Sequence, residues 1–248
     1  MIREIAPNVY VETEYHGANV AFVATGEGVI LIDTPMLPRE ARHWLCEIQE
    51  RTDEKILYII NTDHHRAHVI GNQHFPMATV VAHENAWKEM KSYGDSFRTR
   101  LMNMYRERIP EAAAEWKQTL EIVKPQVTFT GRSVLYKGKT ELHLIGVGGH
   151  TPATTVIFMP NERLLFAGDV VVTNRPPFLS QGNTKEWLEA LTLLRKEIRA
   201  FAREHQVLAS PLDVYRVMEL SRRIVLFFDK ALYHTARGFA AERRGALP

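Results

Sequence analysis

Histidine is unevenly spread along this chain. Of 11 histidines, His64, His65, His68 and His74 fall within eleven positions. Three of them sit in the run Asn61-Thr62-Asp63-His64-His65-Arg66-Ala67-His68, directly after an unbroken apolar stretch at 56–60. Imidazole and carboxylate are suitable ligands for zinc, iron or manganese. A single turn of chain can aim Asp63, His65 and His68 to one side. Loops at the ends of buried strands are where α/β proteins tend to place their sites. Three more pieces have the same character: His150 in Gly148-Gly149-His150-Thr151-Pro152, Asp169 in Phe166-Ala167-Gly168-Asp169, and Asp33 in Leu31-Ile32-Asp33-Thr34.

These residues need elements to position them. Residues 8–14, 19–24 and 29–33 read as strands separated by turn sequences, and Pro38 opens a helix with Ala41, Trp44, Leu45 and Ile48 at helical spacing. The run 56–60 reads as a strand buried on both faces. A strand at 79–82 is followed by helical pattern over 84–108 and again after Pro110. Strands are then expected at 127–130, 134–136, 141–145, 155–159 and 163–166. Asn183 with Glu186 three positions on forms a capping box that starts another helix. A short strand at 207–209 and a long apolar-faced helix at 213–237 complete the reading. The β-rich pattern occurs once in each half, which suggests two packed sheets with helices on their outer faces. We read one domain over 1–248, with 84–124 a helical insertion.

The segments at Asp33, Asp63 to His68, His150 and Asp169, in that order over about residues 8–210, resemble the metallo-β-lactamase superfamily. The turn Gly17-Ala18-Asn19 also resembles that family's early turn. The resemblance implies an α/β fold: a four-layer αβ/βα sandwich, two mixed β-sheets flanked by helices, with one or two metals at the seam. The family's first motif is His-x-His-x-Asp-His. His65 and His68 fall on its second and third histidines, His150 on the later lone histidine, Asp169 on the bridging carboxylate, and Asp33 on a buried aspartate supporting the metal loops. Asp63 stands in place of the first histidine and Ala67 in place of the aspartate that binds the second metal. The family's last histidine has no counterpart in 207–213; His205 lies too early, and Asp213 suits a helix N-terminus.

Carried over in this way, the first-metal set is Asp63, His65 and His150. The second-metal set is reduced to His68 and Asp169. The expectation is one divalent metal, zinc first, with iron and manganese as alternatives because a carboxylate hardens the site. Asp63, His65, His150 and Asp169 would hold it, with His68 close by. Such a metal lowers the pKa of a water to about 7 and polarises a carbonyl or phosphoryl oxygen. Asp169 and His68 are the residues expected to take or pass on a proton. The implied activity is hydrolysis of an ester, lactone, thioester, amide or phosphoester. An iron oxidoreductase on the same fold and a non-catalytic binding protein are the competing readings. No Gly-x-Ser-x-Gly signature supports a serine hydrolase.

The neighbouring residues have plainer readings. His64 should face away from the site by alternation, and His74, His83 and His143 suit polar or capping roles. Trp87, Tyr93, Phe97, Met102 and Phe178 are expected to wall an apolar pocket for a small-molecule substrate, and Arg175 either to meet an anionic group or to stand exposed in solvent. The net charge of +2, from 31 basic and 29 acidic residues, does not point to nucleic acid. The single cysteine, Cys46, excludes an internal disulfide and a Cys-rich zinc site, and its helical setting predicts a small semi-buried side chain. The first seven residues lack the apolar core of a signal peptide, and no stretch approaches the roughly 20 apolar residues of a membrane span. A cytoplasmic protein without membrane contact is the expectation. The apolar run Ile224-Val225-Leu226-Phe227-Phe228 is too apolar for a solvent-facing helix and suits either packing on the sandwich or a homodimer contact.

Overall fold

A computed structural model describes residues 2–172 and 177–204. The expected strand at 207–209, the helix at 213–237, and Arg175, His205, Asp213 and Ile224 to Phe228 lie outside the described residues.

The first sheet has seven strands in sequential order: β1 (Arg3–Ala6), β2 (Val9–Glu12), β3 (Val20–Ala24), β4 (Val29–Ile32), β5 (Ile56–Asn61), β6 (Thr79–His83) and β7 (Val127–Phe129). The pairs from β1 to β4 are antiparallel and those from β4 to β7 parallel, so this sheet is mixed. Each parallel connection must cross over the sheet, and helices supply the crossovers. Helix α1 (Pro38–Gln49) joins β4 to β5, and its Pro38 opens the first turn, where a missing N–H costs nothing. Helix α2 (Arg66–Val69), with a turn of 3-10 helix after it, joins β5 to β6. Helices α3 (Glu84–Met90), α4 (Asp95–Tyr105) and α5 (Pro110–Thr119) lie between β6 and β7. The sequence pattern suggested one helix over 84–108. The chain instead breaks at Lys91 to Gly94, where Gly94 precedes the first turn of α4.

The second sheet runs β11-β10-β9-β8, from β8 (Arg132–Lys137), β9 (Thr140–Gly146), β10 (Thr155–Met159) and β11 (Leu164–Phe166). Its described pairs are all antiparallel. Helix α6 (Thr184–Glu204) follows, with Asn183 Oδ1 accepting from Lys185 N and Glu186 N at 3.1 and 3.2 Å, as the capping box predicts. Glu186 reaches back to the Asn183 side chain, because the Asn183 backbone N–H is given to Gly149 O.

Side-chain alternation builds the layers. Ala21, Val23, Ile30, Ile32, Ile60 and Val81 face inward and pack on Leu142, Leu144, Ile157 and Phe166 of the second sheet. Their neighbours Val20, Phe22, Val29, Leu31, Ile59 and Val80 face outward onto Trp44 and Ile48 of α1. Both faces of the central strands are thus covered, which is why β4 and β5 read as unbroken apolar runs. Val156 and Leu165 turn to the opposite side, against Trp187, Leu191 and Leu194 of α6. The order helix, sheet, sheet, helix is the expected four-layer sandwich. Cys46 departs from expectation: it is exposed on α1, because the buried stripe runs through Ala41, Trp44 and Ile48.

Candidate metal centre

The two sheets meet at one end in a set of loops, and the predicted residues collect there. β5 delivers the chain at Asn61. Asp33 N donates to Ile60 O, and Thr155 N donates to Thr62 O at 2.8 Å, so the loop is tied to both sheets. Asp33 has a positive φ of 55°, a conformation that Asp tolerates better than most residues. Its carboxylate turns back to accept from Thr62 N at 2.8 Å and from the Thr62 hydroxyl. Asp33 Oδ2 also lies 2.9 Å from His68 Nδ1. The predicted buttress role of Asp33 is what the geometry contains.

Asp63 is fully buried and makes four hydrogen bonds. Its Oδ1 accepts from His64 N at 2.7 Å and His65 N at 3.0 Å. Its Oδ2 accepts from the hydroxyls of Thr151 at 2.7 Å and Thr154 at 3.0 Å. The loop bearing His65 is thereby joined to the loop bearing His150. Burial alone would push the Asp63 pKa up, but His68, His64, His65 and the Thr151 hydroxyl outweigh it and hold the carboxyl below the usual range.

His65 precedes the first turn of α2 with extended backbone. Its Nδ1 stands 3.0 Å from His150 Nε2 and 3.5 Å from Asp63 Oδ1, and its Nε2 stands 2.7 Å from Gln181 Oε1. Ligand atoms of Asp63, His65 and His150 all lie within 4.8 Å of one another, the one such group among the described residues. Two nitrogens bound tetrahedrally to zinc at about 2.0–2.1 Å stand about 3.3 Å apart, so the separations of 3.0 and 3.5 Å fit a shared ion. His150 rests against the Trp187 ring at 5.3 Å. It sits in a turn where Gly148 and Gly149 have φ of 66° and 91°; a Cβ on Gly149 would come within 2.6 Å of Trp187 Cα. The glycines of that motif therefore let α6 approach the histidine.

His68 and Asp169 form the second group. His68 Nε2 lies 3.4 Å from Asp169 Oδ2, which is also 3.4 Å from His150 Nε2. Burial pushes His68 down, but Asp33 and Asp169 on either side outweigh it and raise its pKa well above the usual histidine range. Asp169 is the counterpart: burial raises it, yet His68 and His150 keep it far below the usual carboxylate range. The backbone of His68 is pinned as well, its carbonyl accepting from Thr34 Oγ1 and Asn61 Nδ2.

The five predicted site residues therefore come together, in two subsets bridged through His150 and Asp169. His64 departs from the alternation rule. Its ring is buried, 4.8 Å from that of His65, with Nδ1 3.1 Å from Asp63 Oδ1 but making no hydrogen bond. Residues 63–65 are a turn rather than a strand, so neighbours need not diverge. Burial pushes the His64 pKa down to about 4. His83 caps α3 through Nδ1, and His143 pairs with Glu141. Sequence reasoning missed Thr154 and Gln181; Thr62 and Thr151 stood in the quoted motifs without a role.

Beside Ala67, His68 and Asp169 opens a cleft of about 1360 Å³. Its walls include Met36, Arg39, Arg66, Tyr105, Ile109 and Phe166. The helical insertion does reach the cleft, but through Tyr105 and Ile109. Tyr93, Phe97 and Met102, expected there, pack instead into the core that joins the insertion to Met36, Leu37, Val69 and Ile70, and Trp87 carries Lys91 over its ring. Phe178 does not line the cleft; it is exposed, with its ring 6.0 Å from that of His65.

A sequence model of the metallo-beta-lactamase superfamily matches residues 14–202. The chain belongs to this superfamily. It is 22% identical over 210 residues to a metallo-beta-lactamase type 2 of Elizabethkingia meningoseptica, covering 79% of this chain and 73% of that protein. Among solved structures, a metallo-beta-lactamase from Pontibacter korlensis superposes with a TM-score of 0.63 at 20% identity, covering 80% of this chain and 86% of that one. A stereoselective inverting sec-alkylsulfatase from Pseudomonas sp. superposes with a TM-score of 0.64 at 16% identity, covering 81% of this chain but 36% of that one. At these identities the superpositions speak for the fold. No helix among the described residues is long and apolar enough to cross a membrane.

Proposed function

We propose that this superfamily member is a hydrolase with one divalent metal, held by Asp63, His65 and His150 with Asp169 beside them. The observation that supports this most directly is the convergence of His65 Nδ1, His150 Nε2 and an Asp63 oxygen within 4.8 Å. A bound divalent ion supplies Lewis acidity toward a carbonyl or phosphoryl oxygen and a water acidic enough to ionise near neutral pH. Zinc is the first candidate and iron or manganese the alternatives, since one ligand is a carboxylate.

The protein's own groups have separable tasks. Asp63 keeps both loops in register while its charge faces the cluster. His68, with Asp33 Oδ2 at Nδ1 and Asp169 Oδ2 at Nε2, is placed to hold a proton and to pass it on from Nε2. Asp169 Oδ2 lies between His68 and His150 and is placed to orient a polar group entering from the cleft. A small-molecule ester, lactone, thioester, amide or phosphoester is the substrate class we propose. Ala67 contributes no ligand beside His68 and Asp169, so a second ion is expected to be weakly held or absent.

The test is elemental analysis of the purified protein beside His65→Ala. About one equivalent of zinc, iron or manganese, lost in the variant, supports the proposal. Two tightly held ions, or none after reconstitution, refutes it.

A further inference from the structure

We infer that Gln181 is a positioning residue that fixes which nitrogen of His65 faces the metal centre; this rests on the reading of that centre proposed above. A neutral imidazole has one N–H and one lone pair, and only the lone pair can bind an ion. His65 Nε2 lies 2.7 Å from Gln181 Oε1, while Nδ1 looks toward His150 Nε2 at 3.0 Å and Asp63 Oδ1 at 3.5 Å. A carbonyl oxygen can only accept. It therefore holds the proton on Nε2 and leaves the lone pair on Nδ1, pointing into the cluster. Without that acceptor the proton is free to move to Nδ1, where it would face the other two ligands and block them.

The position of Gln181 is itself set by the fold. Gly182 N donates to Leu179 O at 3.1 Å, and Asn183 N donates to Gly149 O at 2.8 Å. The second bond anchors the Gln181 segment to the turn that carries His150. One short segment thus holds the His150 turn through its backbone and His65 through a side chain. Phe178 of the same segment sets its ring 6.0 Å from that of His65, covering the outer edge of the imidazole. No other hydrogen-bonding group is seen at His65 Nε2 among the described residues.

The test uses Gln181→Leu, which removes the acceptor at similar size, and Gln181→Glu, which restores one. Zinc affinity is measured by competition with a chromophoric chelator. The His65 tautomer is read from imidazole ¹⁵N shifts in the zinc-free protein. Loss of an outer partner of a metal-bound histidine typically weakens binding about 10–100-fold, and that loss is expected in Gln181→Leu with an unchanged melting temperature. Gln181→Glu is expected to bind at least as tightly as wild type. In zinc-free wild type, Nε2 should carry the proton; in Gln181→Leu the shifts should move toward a mixed population. Unchanged affinity and unchanged ¹⁵N shifts in Gln181→Leu would overturn the assignment. If neither wild type nor variants bind zinc, the metal reading fails, and the ¹⁵N shifts alone decide the role of Gln181.

Discussion

Replacing Asp63 separates two roles that the structure assigns to one carboxylate. In Asp63→Ala the buried N–H groups of His64 and His65 lose their acceptor, and the Thr151 and Thr154 hydroxyls lose theirs. The two hydroxyls lie 3.2 Å apart and can bond to each other, so they recover part of the loss. The backbone N–H groups cannot turn. Each buried donor left unpaired costs about 1–3 kcal/mol, so the variant should lose about 3–5 kcal/mol. For a chain of this length about 2–4 °C accompanies each kcal/mol, which predicts a melting temperature lower by about 6–20 °C. Asp63→Asn keeps an oxygen for the two N–H groups, and its NH₂ can meet hydroxyls that rotate to accept. Only the charge assistance is lost, about 1–2 kcal/mol. Both variants lack the anionic ligand and should bind metal at least tenfold more weakly. Thermal melts of zinc-free protein and zinc titrations of the folded variants provide the two readouts. An Asp63→Ala protein melting within about 2 °C of wild type would refute the joining of the two loops by this side chain. An Asp63→Asn protein with wild-type zinc affinity would show that Asp63 is not a ligand.

Other changes test other parts. Ala67→Asp places a carboxylate beside His68 and Asp169 and should raise bound metal from about one equivalent toward two by elemental analysis; an unchanged count would mean that the absent ligand at 67 is not what limits the second ion. Asp33→Ala removes the partner of His68 Nδ1 and of Thr62, a buried pair whose breaking costs about 3–5 kcal/mol, measurable by urea unfolding. Gly149→Ala, forced to carry a Cβ at positive φ within 2.6 Å of Trp187 Cα, should be unstable, and a wild-type melt would contradict the packing of α6 on that turn. Burial lowers the His83 pKa, and its neutral Nδ1 accepts from Asn85 N. A histidine with a depressed folded pKa gives stability that is whole above about pH 6.5 and is lost as pH falls through the folded value. Protection factors of the α3 amides, taken against the intrinsic exchange rate at each pH, should therefore fall below about pH 6.5, and His83→Asn, a non-titrating cap, should flatten that dependence.

The fold was legible because the chain writes its layers as two periodicities. Alternation assigns Ile30 and Ile32 to one face and Val29 and Leu31 to the other, and helical spacing puts Trp44 and Ile48 over the latter. That Asp63, His65, His68, His150 and Asp169 gather in one place was legible because carboxylate and imidazole types recur at strand ends. The groups that hold them were not, for reasons specific to each. Thr154 is an ordinary residue until Asp63, ninety-one positions earlier, needs a fourth donor. Gln181 has no local pattern at all, since its hydrogen-bond partner is a nitrogen of His65, 116 positions away. His64 failed the alternation rule because the Asp63 carboxylate takes the N–H groups of both following residues, winding 63–65 into a turn. The insertion's aromatics were misplaced for a related reason. Tyr93 stacks on Phe97 at 4.0 Å and its hydroxyl donates to His64 O, so it supports the metal loop from behind, and the cleft wall falls to Tyr105 and Ile109. Residue types announced the candidate ligands; only three-dimensional pairing showed which neighbours touch them. The substitution of Asp63 for a histidine illustrates the difference. In sequence it reads as one ligand exchanged for another, while in the structure the same carboxylate also joins the two halves of the sandwich through Thr151 and Thr154. A return to histidine at 63 would therefore forfeit that joint, so Asp63 and the two threonines are expected to tolerate change only together.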